Sequence, residues 1–170
     1  MKHFLLTLTL AAATYMPATL YAQSNAMTEA QALVQEQAQD HVMALDKINN
    51  ALKAKPRDAE LRFKRAMLFV EMGKIQAAII AFDEMTRDFP AMPEPYNNLA
   101  VLYAKTGQTD KARAALEMAV RTDPRYATGF ENLGDIYLKL ASENYFKALA
   151  IDRTSEAAQR KLSAVAKVNP

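Results

Sequence analysis

The chain repeats itself every 34 residues. Pro56, Pro90 and Pro124 keep that interval, as do Ala44, Ala78 and Ala112, and Ile48, Phe82 and Leu116. A neighbouring set, Ala66, Ala100 and Gly134, keeps it too, alongside Phe69, Tyr103 and Tyr137, and Gly73 pairs with Gly107. A fixed period of this length is the signature of stacked helical hairpins, each too small to bury its own apolar face alone. The expected class is all-α, and the expected role is recognition.

The hairpins can be placed from local signals. Val34, Ala38, His41, Leu45, Ile48 and Leu52 recur at helical steps and end at Lys53-Ala54-Lys55-Pro56. This segment reads as one long helix, or as two with a weak break near Gln39-Asp40. Thr28 and Gln31 fit a capping box at its start. Asp58 can cap a helix running to about Met72, Gly73 supplies a turn, and a return helix spans about 75–88. Pro93 and Pro95 open the next helix, which turns at Gly107 and returns from about 109 to 122. Thr128 and Glu131 fit a second capping box. The last helix, about 155–168, carries a narrow stripe of Ala158, Leu162 and Val165 and reads as a terminal cap with one wet face.

These residues resemble the tetratricopeptide repeat (TPR) family. Tyr96, Leu99, Ala100, Tyr103, Gly107, Ala112, Leu116, Ala119 and Pro124 fall at the family's spacing. In the preceding unit the matches are Ala66, Phe69, Gly73, Ala78, Phe82 and Pro90, with Arg62 and Arg65 in place of apolar residues. Phe130, Leu133, Gly134 and Tyr137 match in the third. The resemblance implies a right-handed solenoid with units of about 28–58, 59–92, 93–126 and 127–154, closed by the cap at 155–168.

The third unit departs from the pattern. Tyr103 and Ala112 are nine residues apart, but Tyr137 and the matching Ala141 are four apart, so five residues that include the turn glycine are missing. Phe130, Leu133, Tyr137, Leu140, Ala141, Tyr145 and Ala148 nevertheless keep one helical stripe. The simplest expectation is a hairpin fused into one helix over about 128–152; the alternative is a tight turn at Leu140-Ala141-Ser142, with Ser142 as a cap.

The resemblance also implies a concave groove lined by the first helix of each hairpin. Its candidate partner-binding residues are Phe63, Met67 and Val70, then Asn97, Asn98, Val101 and Lys105, then Glu131, Asn132, Asp135 and Leu138. Asn98 and Asn132 suit a peptide backbone because an amide both donates and accepts. The basic residues of the family's carboxylate clamp are replaced by Phe63, Met67, Thr128 and Asn132, which argues against recognition of an acidic tail.

Catalytic constellations are missing from the sequence. It has no cysteine, two histidines, of which His3 lies in the leader, and no Gly-rich phosphate loop. Neither a cofactor nor a metal site is expected, and the chain does not read as an enzyme. A net charge of +2 without blocks of one sign argues against nucleic acid as a partner. Lys2 and His3, the apolar run 4–13, Pro17 and Ala22-Gln23 have the layout of a cleaved secretory signal over residues 1–22. An uncleaved anchor is the alternative, weakened by Pro17 and three threonines. The expected product is periplasmic or secreted, without stable membrane insertion after cleavage, with a polar linker at 23–27 before the helical domain at 28–168. The expected partner is another protein, in cell-envelope assembly or maintenance; a self-associating homo-oligomer of an envelope complex is the alternative.

Overall fold

A computed structural model describes residues 18–168, with side chains from residue 31 onward. Those residues form seven helices and no strand. They fall into two units divided between Ala44 and Leu45. The first contains most of α1 (Ala18–Ala54), whose Leu33, Val34, Val42 and Met43 are exposed. The second holds the end of α1 and everything after it.

In the second unit the expected hairpins are present. Asp58 caps α2 (Ala59–Glu71), its carboxylate accepting from the Leu61 N–H at 3.0 Å. Gly73 turns the chain into α3 (Ile75–Asp88) at φ 68°, a conformation open to glycine because it has no Cβ. The Lys74 N–H donates to the Phe69 carbonyl at 2.8 Å across that turn. Gly107, at φ 75°, repeats the device between α4 (Pro93–Lys105) and α5 (Thr109–Thr122), where the Gln108 N–H donates to the Tyr103 carbonyl at 2.8 Å. Small residues sit where paired helices touch. Ala66 and Ala78 are fully buried in the first hairpin, as are Ala100 and Ala112 in the second.

Two apolar clusters hold the stack together. One joins Ala66, Ala78, Phe82 and Met85 to Leu99 and Leu102 of the next hairpin. The other joins Ala100, Ala112 and Leu116 to Leu133 and Ile136. Tyr103 packs against both, so each hairpin closes the face its predecessor leaves open. Arg62, which stands where the family prefers a large apolar group, is accommodated by its long stem. Its guanidinium lies 5.4 Å from the Phe89 ring centroid and pairs with Asp88 and Glu84 of α3.

The third hairpin is fused. α6 runs unbroken from Ala127 to Ile151, 25 residues or about 37 Å at 1.5 Å per residue. Leu140, Ala141 and Ser142 are helical, so the tight-turn alternative is not what the chain adopts. Removing the turn left neither Gly nor Pro between Gly134 and the helix end, and the remaining residues favour continuation. α7 (Glu156–Val168) then packs against α6, burying Ala158 and half-burying Leu162 and Val165 as expected.

Several local expectations need correction. Residues 23–27, expected as a linker, are helical, because α1 is continuous from Ala18; this stretch carries Ala, Gln and Met, and no Gly or Pro. Thr28 is therefore not a helix start, and the helix does not break at Gln39-Asp40. α6 begins at Ala127, one residue before the proposed Thr128 cap, and Ser142 lies inside it. The rest of the proposed signal segment, residues 1–17, lies outside the described residues. Among the described residues no helix is long and apolar enough to cross a membrane.

Candidate interaction surface

The first helices of successive hairpins, α2, α4 and the first half of α6, carry every residue expected to line the groove. The structure sorts those residues into three groups. Phe63, Met67 and Val70 are half-buried and pack against the first core cluster. Phe63 meets Phe82 edge to face, with ring centroids 5.6 Å apart, so it is as much core as surface.

The amide residues behave differently from one another. Asn97 is buried, and its carbonyl oxygen accepts from the Asn132 amide at 2.8 Å. That bond joins α4 to α6 and brings together two of the candidate residues. Asn98 donates from its amide to the Glu94 carbonyl of its own helix at 2.9 Å, so part of the two-sided pairing expected of it is already satisfied. The Asn97–Asn132 bond spans 35 residues, one off the repeat, which is why the 34-residue register does not reveal it.

The third group faces solvent. Val101, Lys105, Glu131 and Asp135 are exposed, and Leu138 is half-exposed. Val101, 49% exposed, is the exposed large apolar group among them. The surface is thus apolar on α2, amide-bearing on α4, and acidic on α6. At the stack's edge the Arg62 guanidinium holds the Asp88 carboxyl below its ordinary value of 3.8 by hydrogen bonding. Burial raises the Tyr126 phenol above its usual 10.0, with the Glu94 charge adding to it.

Among the described residues no group of three or more His, Cys, Asp or Glu is placed to hold a metal ion. His41 is half-buried on α1. Sequence reasoning also passed over a second exposed patch, on α6 itself. Phe130 and Tyr137 are 50% and 49% exposed, although their register marks them as packing residues.

Helical hairpins in 34-residue register, closed by small residues and turned at left-handed glycines, define a repeat solenoid. Two family profiles, each described as tetratricopeptide repeat, match residues 29–93 and 69–128, together more than half of the chain. The chain belongs to the tetratricopeptide-repeat family. Among curated relatives, the chloroplastic tetratricopeptide repeat domain-containing protein PYG7 of Arabidopsis thaliana is 33% identical over 96 residues, 54% of this chain and 31% of that protein. The chain spans less than half the length of the curated relatives it matches. Among solved structures, the TPR domain of P58(IPK) superposes with a TM-score of 0.62 at 21% identity, covering 89% of this chain and 42% of that one. A crystal structure of MamA gives 0.56 at 20% identity, covering 78% and 81%. These likenesses are in fold. The family's repeats are generally interaction modules without catalytic function, and this fold supports a protein–protein interaction module.

Proposed function

We propose that the chain is an exported protein-interaction module that holds a segment of a partner protein along α2, α4 and the first half of α6. The observation that carries this reading is the exposure of Val101 at the register position of Met67, with charged Lys105 one turn further along α4 and exposed Glu131 and Asp135 on α6, which Asn132 ties to α4. An apolar anchor ringed by charge is the composition of a recognition surface. The occupant best suited to it is an extended or helical segment with an apolar side chain for Val101 and Met67 and basic residues toward Glu131 and Asp135. Loss of the clamp's cations argues against an acidic tail.

Export is supported by the pattern of residues 1–22, and the cell envelope is the setting proposed from export together with the family's role in binding other proteins. The test is capture of the partner from envelope extract, followed by affinity measurement with Val101→Glu. Val101 already faces water, so this variant should keep native helicity and stability. It should weaken binding at least tenfold, because a carboxylate would face an apolar anchor and add to the acidic end. Wild-type affinity in Val101→Glu and in Met67→Ala would remove this surface from consideration.

A further inference from the structure

The missing turn leaves two halves of a hairpin that cannot reach each other. In the first two hairpins the large and small residues alternate across the helix pair. The antiparallel return at Gly73 sets Phe69 opposite Ala78 and Ala66 opposite Phe82, residues that share one cluster, and the return at Gly107 sets Tyr103 opposite Ala112 and Ala100 opposite Leu116 in the other. All four alanines are at most 1% exposed, because the second helix covers the first.

The third unit keeps the same residues and lacks the cover. Gly134 stands in register with Ala66 and Ala100, yet a Cβ built on it meets nothing within 4 Å. Phe130 and Tyr137 flank it, each about half exposed. The residues that should cover them, Ala141, Tyr145 and Ala148, continue along the same rigid helix and point away from it in sequence. A straight helix cannot fold onto itself.

The stripe is, however, complementary to itself. Laid antiparallel on a copy, Tyr137 meets Ala141 of the copy, Gly134 meets Tyr145 and Phe130 meets Ala148. Large faces small at each level, in the order the intact hairpins use. A self-complementary patch is what a two-fold interface requires, and shortening a hinge favours exchange of the segment beyond it. We infer that two copies of this chain exchange the second half of α6 together with α7, each completing the other's third hairpin. This interface is separate from the surface proposed above for a partner protein, so either can fail without the other.

The test restores the turn. Copying residues 106–110, Thr-Gly-Gln-Thr-Asp, between Lys139 and Leu140 returns the third unit to the length of the second. Light scattering on the purified full chain should give the mass of two chains, and the insertion variant that of one. A cross-link supplies the second reading, free of background because the chain has no cysteine. In Gly134→Cys/Tyr145→Cys the two thiols lie 11 residues apart on one helix, about 16 Å, too far to pair within a chain. Oxidation should therefore give a band of two chains on a non-reducing gel, and of one chain once the turn is inserted. A wild-type chain of single mass at every concentration overturns the inference, including the case in which another protein's helix occupies the stripe. So does a double mass that the insertion leaves unchanged. Should the insertion variant fail to fold, the absence of an inter-chain disulfide in Gly134→Cys/Tyr145→Cys overturns it equally.

Discussion

Ala100 and Gly134 occupy the same register position one repeat apart, and the structure makes opposite demands on them. Ala100 is 1% exposed and packed in one cluster with Ala112, Leu116 and Leu133. Ala100→Leu adds a branched apolar group to a contact that has no space for it. Ala112 and Ala115 have no side chain to rotate aside, and Leu116 and Leu133 are themselves buried, so α4 and α5 must separate. Overpacking of this kind costs about 1–3 kcal/mol. With a urea slope of about 2 kcal/mol per molar, a 2 kcal/mol loss moves the midpoint down by about 1 M. Gly134 has nothing within 4 Å of a built Cβ. Gly134→Ala adds no clash and removes the backbone-entropy penalty of a helical glycine, so it should stabilise by about 0.5–1 kcal/mol. Alanine is also what the other two hairpins carry there, so the gain should persist if a second copy covers the stripe. Urea melts followed by circular dichroism would show shifts of opposite sign. An Ala100→Leu melt that overlays wild type, or a destabilised Gly134→Ala, would refute the register on which both rest.

Three further outcomes follow from named residues. Leu140→Pro should cost about 3 kcal/mol or more, because Pro removes a helical hydrogen bond and clashes with the preceding turn in the middle of α6; loss of helical signal checks it, and a mild effect would mean that a turn forms there. Asp88, its carboxyl held below 3.8 by Arg62, adds stability that is present above the unfolded-state value and lost as pH falls through the lower folded value. Urea midpoints measured from about pH 5 to about pH 2 should fall less steeply in Arg62→Gln than in wild type, and parallel curves would contradict the pairing. The exported chain should begin at Gln23, read by intact mass or N-terminal sequencing, and a chain retained in the membrane from Met1 would overturn the signal assignment.

The repeat was legible because its physics is repetitive. Ala, Gly and Pro mark close contacts, turns and stops, so their 34-residue spacing placed α2 to α5 within a residue of their ends and anticipated the fusion of α6. Capping was read less well. Thr28 looks like a cap in sequence yet lies inside α1, carried along by Ala, Gln, Met and Glu around it, and Thr128 lies in the first turn of α6, one residue past its start. The candidate surface was legible as a set of positions and not as a set of roles. Register assigns Phe63, Asn97 and Val101 to one face. Only packing separates the ring against Phe82 and the amide bonded to Asn132 from the side chain left in water.

Departures from the family pattern sit at the two ends of the stack, and the energetics of a solenoid explain where they are tolerated. Each hairpin is held by its own internal contact and by contacts with its neighbours. The middle hairpin, α4 with α5, has both neighbours and keeps the family's pattern throughout. The first has Arg62 where an apolar residue belongs, and it recovers the loss through Asp88, Glu84 and the Phe89 ring. The third has lost its internal contact outright. It keeps Leu133, Ile136 and Leu140 in the cluster shared with α4 and α5, the Asn132–Asn97 bond to α4, hydrogen bonds from the Thr109 hydroxyl of α5 to Glu143 and from the Tyr137 hydroxyl to Glu117 of α5, and the packing of α7 on α6. Arg62 is satisfied within its own hairpin, so that departure from the pattern is compensated there. Among the described residues, Phe130 and Tyr137 stay about half exposed beside an uncovered Gly134, although the Tyr137 hydroxyl donates to the Glu117 carboxylate of α5 at 3.4 Å, and the three retain the large-small-large order of a covered face. That asymmetry is the reason to look for the missing cover on a second copy rather than to treat the lost turn as a defect.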